Sequence, residues 1–469
     1  MALNPTPTFA LQPSAERVAL STNYITDFNF LNQYLPDTYE KEFERYGNRS
    51  VASFLRMVGA EMPSNSDMIK WAEQGRLHTK YINVNADGAV NDDNATFTIN
   101  DADVVDGAFR VGQTVMISDN TAGSALVNRG LITAVSAIGA VGNPTFTVAF
   151  YEGGGQAVAV NTTVSVFVYG SEFAKGTEGM VGSVEAEDVF FENKPIIIKD
   201  RYAVSGSDMA QIGWVEITTE NGANGYLWYL KSEHETRLRF EDYLETAMIE
   251  AVPAEAASGV VGVAGLANAG SDGIFFTVGN RGNVFGGGNP TTLAEFDAII
   301  QRLDRQGAIE ENVLFVNRQF SFDIDDMLAA QNSYGAGGTS YGLFDNDQEM
   351  ALNLGFSGFR RGYDFYKTDW KYLNDPTMRG DLTAGAVNGL LVPAGSTSVY
   401  DQVLGKNAKR PFLHVRYRAS ETEDRRYKTW VTGSAGGASS SSLDAMEVNF
   451  LSERAVCTLG ANNFVLFQS

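Results

Sequence analysis

Residues 232–248 read SEHETRLRFEDYLETAM, and two readings compete for them. His234-Glu235 opens the zinc-protease pattern H-E-x-x-H, in which two imidazoles one helical turn apart grip a metal and the glutamate serves as base. The second imidazole position is Leu238, and the two other histidines, His78 and His414, lie in segments with no shared ligand spacing. A metal-dependent hydrolase around His234 therefore lacks its ligand set. The second reading is structural. Leu227, Leu230, His234, Leu238, Leu244 and Met248 form one drifting stripe, and Glu233 and Glu235 stand four residues before Arg237 and Arg239, the favourable order for ion pairs along a helix. Extended over 224–251 and stopped by Pro253, the segment predicts a helix of roughly 40 Å at ~1.5 Å per residue. It is a charged rod whose apolar side holds the rest of the subunit, with His234 among the packing residues.

After the rod, small-residue loops lead to TTLAEFDAIIQRLDRQG, residues 291–307. Thr292 and Glu295 fit a capping box, Phe296, Ile299, Ile300 and Leu303 repeat at i, i+3, i+4 and i+7, and Gly307 ends the helix. NVLFVN then reads as a buried strand and RQFSFDIDDMLAAQN as a helix, so 255–405 is an α+β segment. The part from 406 to 469 is β-rich, with GSAGGASSSS, beginning at Gly433, as a low-complexity tether.

Before the rod, residues 1–36 carry four of the chain's 12 prolines and read as an extended arm. Residues 37–82 show helical patterning in three short pieces, broken at Gly47, Pro63 and Gly75. Composition shifts at 83–169, where runs such as ATFTI, QTVMIS and VSVFVYG alternate between Gly, Asn and Asp turns; an inserted all-β unit is expected there. It holds eight acids against Arg110 and Arg129. Its Asp-rich turns lack the D-x-D-x-D-G spacing of a calcium loop. Segment 170–216 contains DVFFENKPIIIKDRYAVSG and QIGWVEI, with Lys194-Pro195 suiting an edge strand or a long hairpin; such a ribbon needs a partner to bury its faces.

The 469 residues include 35 Lys and Arg against 57 Asp and Glu, a formal charge of −22. That field repels nucleic acid and anionic membranes, which argues against DNA binding by the whole surface. Cys457 is the one cysteine; it excludes an intrachain disulfide framework and reads as a small core residue. No cationic segment precedes an apolar run at the N-terminus, so no secretory signal is expected, and no apolar run is long enough to span a bilayer. The Gly-rich pieces GTEGMVGS and FGGGNP fit neither phosphate-binding pattern, and no G-x-S-x-G occurs. No cofactor is expected. Between Lys406 and Lys428 eight basic residues face three acids. Such a local basic face can meet acidic patches on another copy or packaged nucleic acid, or be simply solvated.

The order of these parts resembles the major capsid proteins of tailed bacteriophages, the phage and herpesvirus type of capsid fold. It is carried by the arm, the ribbon, the long charged helix, the capped helix leading into NVLFVN, and the closing SERAVCTLGANNFVLF. The resemblance covers 1–82 and 170–469. The unit at 83–169 departs from the minimal pattern and is like surface decorations of some large or crAss-like phages.

That resemblance implies an N-terminal arm at 1–36, core helices at 37–82, an E-loop at 170–216, a peripheral domain with its spine helix at 217–254, an axial domain at 255–405, and a return to the peripheral domain at 406–469. It further implies a non-catalytic shell protein made in the host cytoplasm and located in the virion. Hexamers and pentamers of the chain would enclose double-stranded DNA, with a portal vertex protein, scaffolding and decoration or head-fibre proteins as partners. Lys194, Arg201, Arg410, Arg416, Arg418, Arg425 and Arg426 are the expected contacts between subunits. Some members of the family form Lys–Asn crosslinks, and no pair is assigned here. The alternative function is a carbohydrate- or cell-surface-binding protein that works through 83–169.

Overall fold

A computed structural model describes residues 60–86, 93–100, 108–120, 127–136, 143–152, 163–182, 188–210, 217–218, 224–225, 228–261, 270–332, 357–401, 406–435, 437 and 440–468. The expected arm at 1–36 and the helix-like pieces as far as residue 59 lie outside these residues; the end of the second piece, expected as helix up to Pro63, is instead part of the strand Ala60–Ser64, which pairs with a strand distant in sequence. The described chain divides into two compact units. Residues in 200–240 and 429–450 form one; those in 60–199, 241–428 and 451–468 form the other.

The centre of the second unit is a six-stranded mixed sheet in the order Asn283–Gly286, Val465–Gln468, Val387–Pro393, Glu311–Val316, Tyr363–Asp369, Gly358–Arg361. The run VLFV, residues 313–316, is apolar throughout because it is covered on both faces. Leu314 and Val316 join Phe296, Ile299 and Leu303 of the helix Leu293–Gln306 and Phe320, Ile324 and Met327 of the helix Arg318–Asn332. Phe315 turns the other way, into a core with Met248, Ile249, Ile274, Phe275, Trp370 and Val415. The helix Leu293–Gln306 starts on the capping box of Thr292 and Glu295 and ends at Gly307, whose φ of 69° puts it in the left-handed region.

Residues 80–171 contain a closed barrel of six strands in the order Lys80–Ala86, Asn94–Ile99, Thr145–Phe150, Val127–Val135, Gln113–Asp119, Thr163–Ser171. Alternation along each strand sends Val84, Phe97, Ile99, Val115, Ile117, Ile132, Phe146, Val148, Val164 and Val166 inward, so the barrel has a core of its own. Its first and last strands are neighbours, Val84 standing opposite Val164, so the chain enters and leaves side by side.

The long helix spans Trp228–Glu250. Thr236 and Phe240 are buried in the first unit, and Leu244, Glu245, Met248 and Ile249 in the second. His234 is exposed, which corrects the expectation that it packs. At about 100° per residue it points roughly 200° away from Thr236, onto the opposite side of the helix. Of the predicted stripe only Leu244 and Met248 are buried among the residues whose side chains are described. Arg239 pairs with Asp200 at 2.9 Å.

Four further expectations change. The helix expected over 64–75 is a strand, Ile69–Gln74, paired antiparallel with Asp188–Asn193. Its burial alternates, with Ile69, Trp71 and Glu73 shielded and Lys70, Ala72 and Gln74 exposed, and a partner distant in sequence overrides its helical pattern. The expected ribbon is divided by the Lys194-Pro195 corner: Asp188–Asn193 belongs to this two-stranded ladder, whereas Ile196–Ser205 neighbours Ala445–Thr458. The C-terminal part also divides, because Val465–Gln468 enters the six-stranded sheet beside Val387–Pro393 rather than staying with the strands before it. The described residues of the serine-rich tether lie at the tip of a hairpin between Lys428–Gly433 and Ala445–Thr458, held by Ser434 N–H donating to Leu443 O at 3.0 Å and Ser440 N–H donating to Gly433 O at 2.9 Å.

Candidate assembly surface

A ladder of two strands has no interior, so each of its faces must be covered or left to solvent. One face of the ladder Ile69–Gln74/Asp188–Asn193 is covered over Ile69, Trp71, Phe191 and Asn193, with Val189 left exposed towards its far end. Trp71 and Phe191 point to the body of the second unit, where Arg281, the last residue of the helix Ile274–Arg281, lies over both rings, 3.9 Å from the Phe191 centroid and 5.6 Å from that of Trp71. Burial pushes the Arg281 guanidinium below its usual range, while Glu73 and Asp272 act to hold its charge. Glu73 also accepts from Trp71 Nε1–H at 3.0 Å and from the Gly460 N–H at 2.9 Å.

The ladder is pinned where it meets the core. Asn193 is 4% exposed. Its amide group donates to Val456 O at 2.6 Å and Asp272 O at 3.0 Å, and its Oδ1 accepts from Ser271 Oγ at 2.8 Å, Lys194 N–H at 2.8 Å and Asp272 N–H at 2.9 Å. This satisfies the side chain and joins the end of one strand to a loop and to a second sheet. Sequence reasoning passed over Asn193; the available signal is a polar residue at the end of a β run, just before a Lys-Pro corner.

The other face is open. Lys70, Ala72, Gln74, Asp188, Phe190 and Glu192 are all exposed, Phe190 at 71%. The register sets Lys70 opposite Glu192, Ala72 opposite Phe190 and Gln74 opposite Asp188, and Lys70 reaches Glu192 at 3.1 Å. The face is thus an aromatic side chain beside a recess over a small one, flanked by charge at either end.

The basic segment behaves differently from its count along the sequence. Ala60–Ser64 runs parallel to Leu413–Arg418, which pairs with the later part of Ala445–Thr458, and these neighbours bring in acids that the window 406–428 does not contain. Glu61 takes Arg426 and Arg454, the latter at 3.4 Å. Glu453 takes Arg425 at 2.8 Å and Arg418 at 3.8 Å, and Asp67 takes Arg418, which raises the pKa of that guanidinium further. Lys428 pairs with Glu423 at 2.7 Å. Arg416 has no carboxylate partner among the described residues; its Nη1 rests 3.8 Å from Met62 Sδ, and its Nε is buried without a hydrogen-bond partner. Lys194 is half-buried at the corner, again with no described ion pair. Arg201, in the first unit, pairs with Glu447 at 3.3 Å. Arg410 stands opposite Thr397 in the ladder Ser396–Asp401/Lys406–Pro411, and its side chain lies outside the described residues.

No group of three or more His, Cys, Asp or Glu is arranged to hold a metal ion among the described residues. No described helix is long and apolar enough to cross a membrane. No family model matches the chain, and no curated protein matches it.

Solved structures similar to this chain include several from bacteriophages, capsids among them, and the holo-SrpI encapsulin complex from Synechococcus elongatus. One from Microbacterium phage Oxtober96 is 10% identical with a TM-score of 0.40, over 93% of this chain and 96% of its own. A capsid structure of the Cyanophage P-SCSP1u is 8% identical with a TM-score of 0.35, over 64% of this chain and 80% of its own. The asymmetric unit of the bacteriophage PhiM1 mature capsid is 9% identical with a TM-score of 0.34, over 64% of this chain and 78% of its own.

Proposed function

We propose that this chain is a major capsid protein of a tailed phage, a non-catalytic subunit that assembles with copies of itself into a shell. The observation that carries this reading is the open face of the ladder. Phe190 is 71% exposed on an element with no core of its own, and an element of that kind gains stability by burying its open face on a neighbour. A shell of like copies supplies such a neighbour to every subunit. The order of parts in the sequence supports the same reading. In it, 83–169 is an inserted domain on the shell surface, 170–216 the E-loop, 255–405 the axial domain, and the copies form hexamers and pentamers around double-stranded DNA. Portal, scaffolding and decoration proteins complete the virion.

The formal charge of −22 keeps unassembled copies apart and soluble. Lys194 and Arg416, which have no carboxylate partner among the described residues, are the basic side chains we assign to contacts between copies; Arg418, Arg425 and Arg426 hold their own chain together. Expression of the chain, with scaffold and protease supplied, is expected to give shells, tubes or capsomers by electron microscopy. A strictly monomeric product at high concentration overturns the reading.

A further inference from the structure

We propose that the open face of the ladder Ile69–Gln74/Asp188–Asn193 docks on the same face of a second copy, about a two-fold axis parallel to the strands. The proposal rests on the reading of the chain as a self-assembling subunit and names the surface involved. It follows from the register. Along one strand the exposed face presents Lys70, Ala72 and Gln74; along the other, Glu192, Phe190 and Asp188 stand directly opposite them.

Turning a second copy about an axis along the strands exchanges the two rows. Each Lys70 then meets the Glu192 of the other copy, each Phe190 covers the other Ala72, and each Gln74 amide meets the other Asp188 carboxylate. Every exposed group on the face thereby gains a complementary one: cation on anion, amide donor on carboxylate, ring over methyl. Two-fold contacts are self-complementary in this sense, with residue i meeting j and j meeting i. An axis across the strands gives a worse fit. It stacks Phe190 on Phe190 and brings Glu192 against Asp188, a repulsion of like charges. A central aromatic ring ringed by polar side chains is also the arrangement in which one residue dominates an interface.

The side chains that keep the ladder rigid, Trp71, Phe191, Arg281 and Asn193, contact its other face or its end, so substitutions at Ala72 and Phe190 leave that support in place. The native thiol, Cys457, is 1% exposed and does not compete as a crosslinking site.

The test uses the full chain. Ala72→Cys and Phe190→Cys are made separately, carried on differently tagged copies, mixed before assembly and treated with a short bifunctional maleimide suited to the ~10 Å spacing of packed sheets. A crosslink between the two variants is the expected result. A crosslink between Glu192→Cys and Asp188→Cys copies, which this register holds roughly 17 Å apart and an axis across the strands brings face to face, overturns the register, and assembled particles with no crosslink at all overturn the contact while leaving the shell reading intact. Failure of the wild type to assemble overturns both. Independently, Phe190→Ala and Ala72→Trp, one removing the ring and the other filling the recess, are each expected to weaken association roughly thirtyfold, the size associated with a central anchor. Unchanged association in both overturns the proposal.

Discussion

Replacing Asn193 by alanine is expected to free the ladder from the core. The side chain is 4% exposed and takes part in five hydrogen bonds, two donated and three accepted. A truncation leaves the hydroxyl of Ser271, itself 2% exposed, and the N–H of Asp272 without their acceptor, and leaves the Val456 carbonyl without this donor. Each buried group deprived of its partner costs about 1–3 kcal/mol, and part of that cost is recovered if water enters the space. A net loss of about 3 kcal/mol is the resulting expectation for opening of the ladder. At 1.4 kcal/mol per factor of ten, amide hydrogen exchange in 69–74 and 188–193 should accelerate on the order of a hundredfold. The barrel strands, which have their own core, should keep their wild-type exchange. Mass spectrometry of peptic fragments reads both regions in one sample. Asn193→Asp should be no milder, because a carboxylate oxygen then faces the carbonyl of Val456 where an N–H stood. Exchange in the ladder within threefold of wild type for Asn193→Ala would refute the idea that this side chain is the pin.

The same support predicts that Arg281→Lys does not substitute for arginine: a compact ammonium loses the planar stacking over Phe191, and ladder exchange should rise by a factor corresponding to about 1 kcal/mol, with Arg281→Ala at least as strong. Glu295→Ala should lower the stability of the helix Leu293–Gln306 by about 1 kcal/mol, read as local exchange, because the carboxylate accepts from the N–H groups of Thr291 and Thr292 at 2.8 and 3.1 Å. Those bonds hold the Glu295 pKa below its usual value, so the stabilisation is present above about pH 4.3 and is lost as pH falls through the folded-state value. The gap between wild type and variant should therefore close in acid, and a gap that widens there contradicts the assignment. Gly433→Ala should open the serine-rich hairpin. Gly433 has φ 122° and an added Cβ would sit 1.9 Å from Ala445 O, so proteolysis within 434–443 should quicken markedly, and an unchanged digestion rate would show that the turn adapts.

What the sequence alone determined is what neighbours along the chain enforce. Thr292, Glu295 and Gly307 are within reach of one helix, so the capping box and its stop were legible. So was the run VLFV at 313–316, because continuous apolarity over one short strand means cover on both faces. Alternating Val, Thr and Phe between Gly, Asn and Asp turns announced the strands that close into the barrel, and hydrophobicity announced a buried Cys457.

What only the tertiary structure decided is how elements far apart in sequence pair. Ile69–Gln74 reads as helix by its residues and is a strand because Asp188–Asn193 lies beside it. Arg418, Arg425 and Arg426 read as part of a basic face over 406–428 until Glu61, Asp67 and Glu453 arrive on adjoining strands and loops. His234 seemed to belong to an apolar stripe, yet the helix turns Thr236 and Phe240 inward and leaves the histidine in solvent. The physical reason is common to all three. Propensity and local charge are weak preferences, worth tenths of a kcal/mol to about one per residue, whereas burial and ladder pairing act on whole faces at once, and the residues that provide them are distant in sequence.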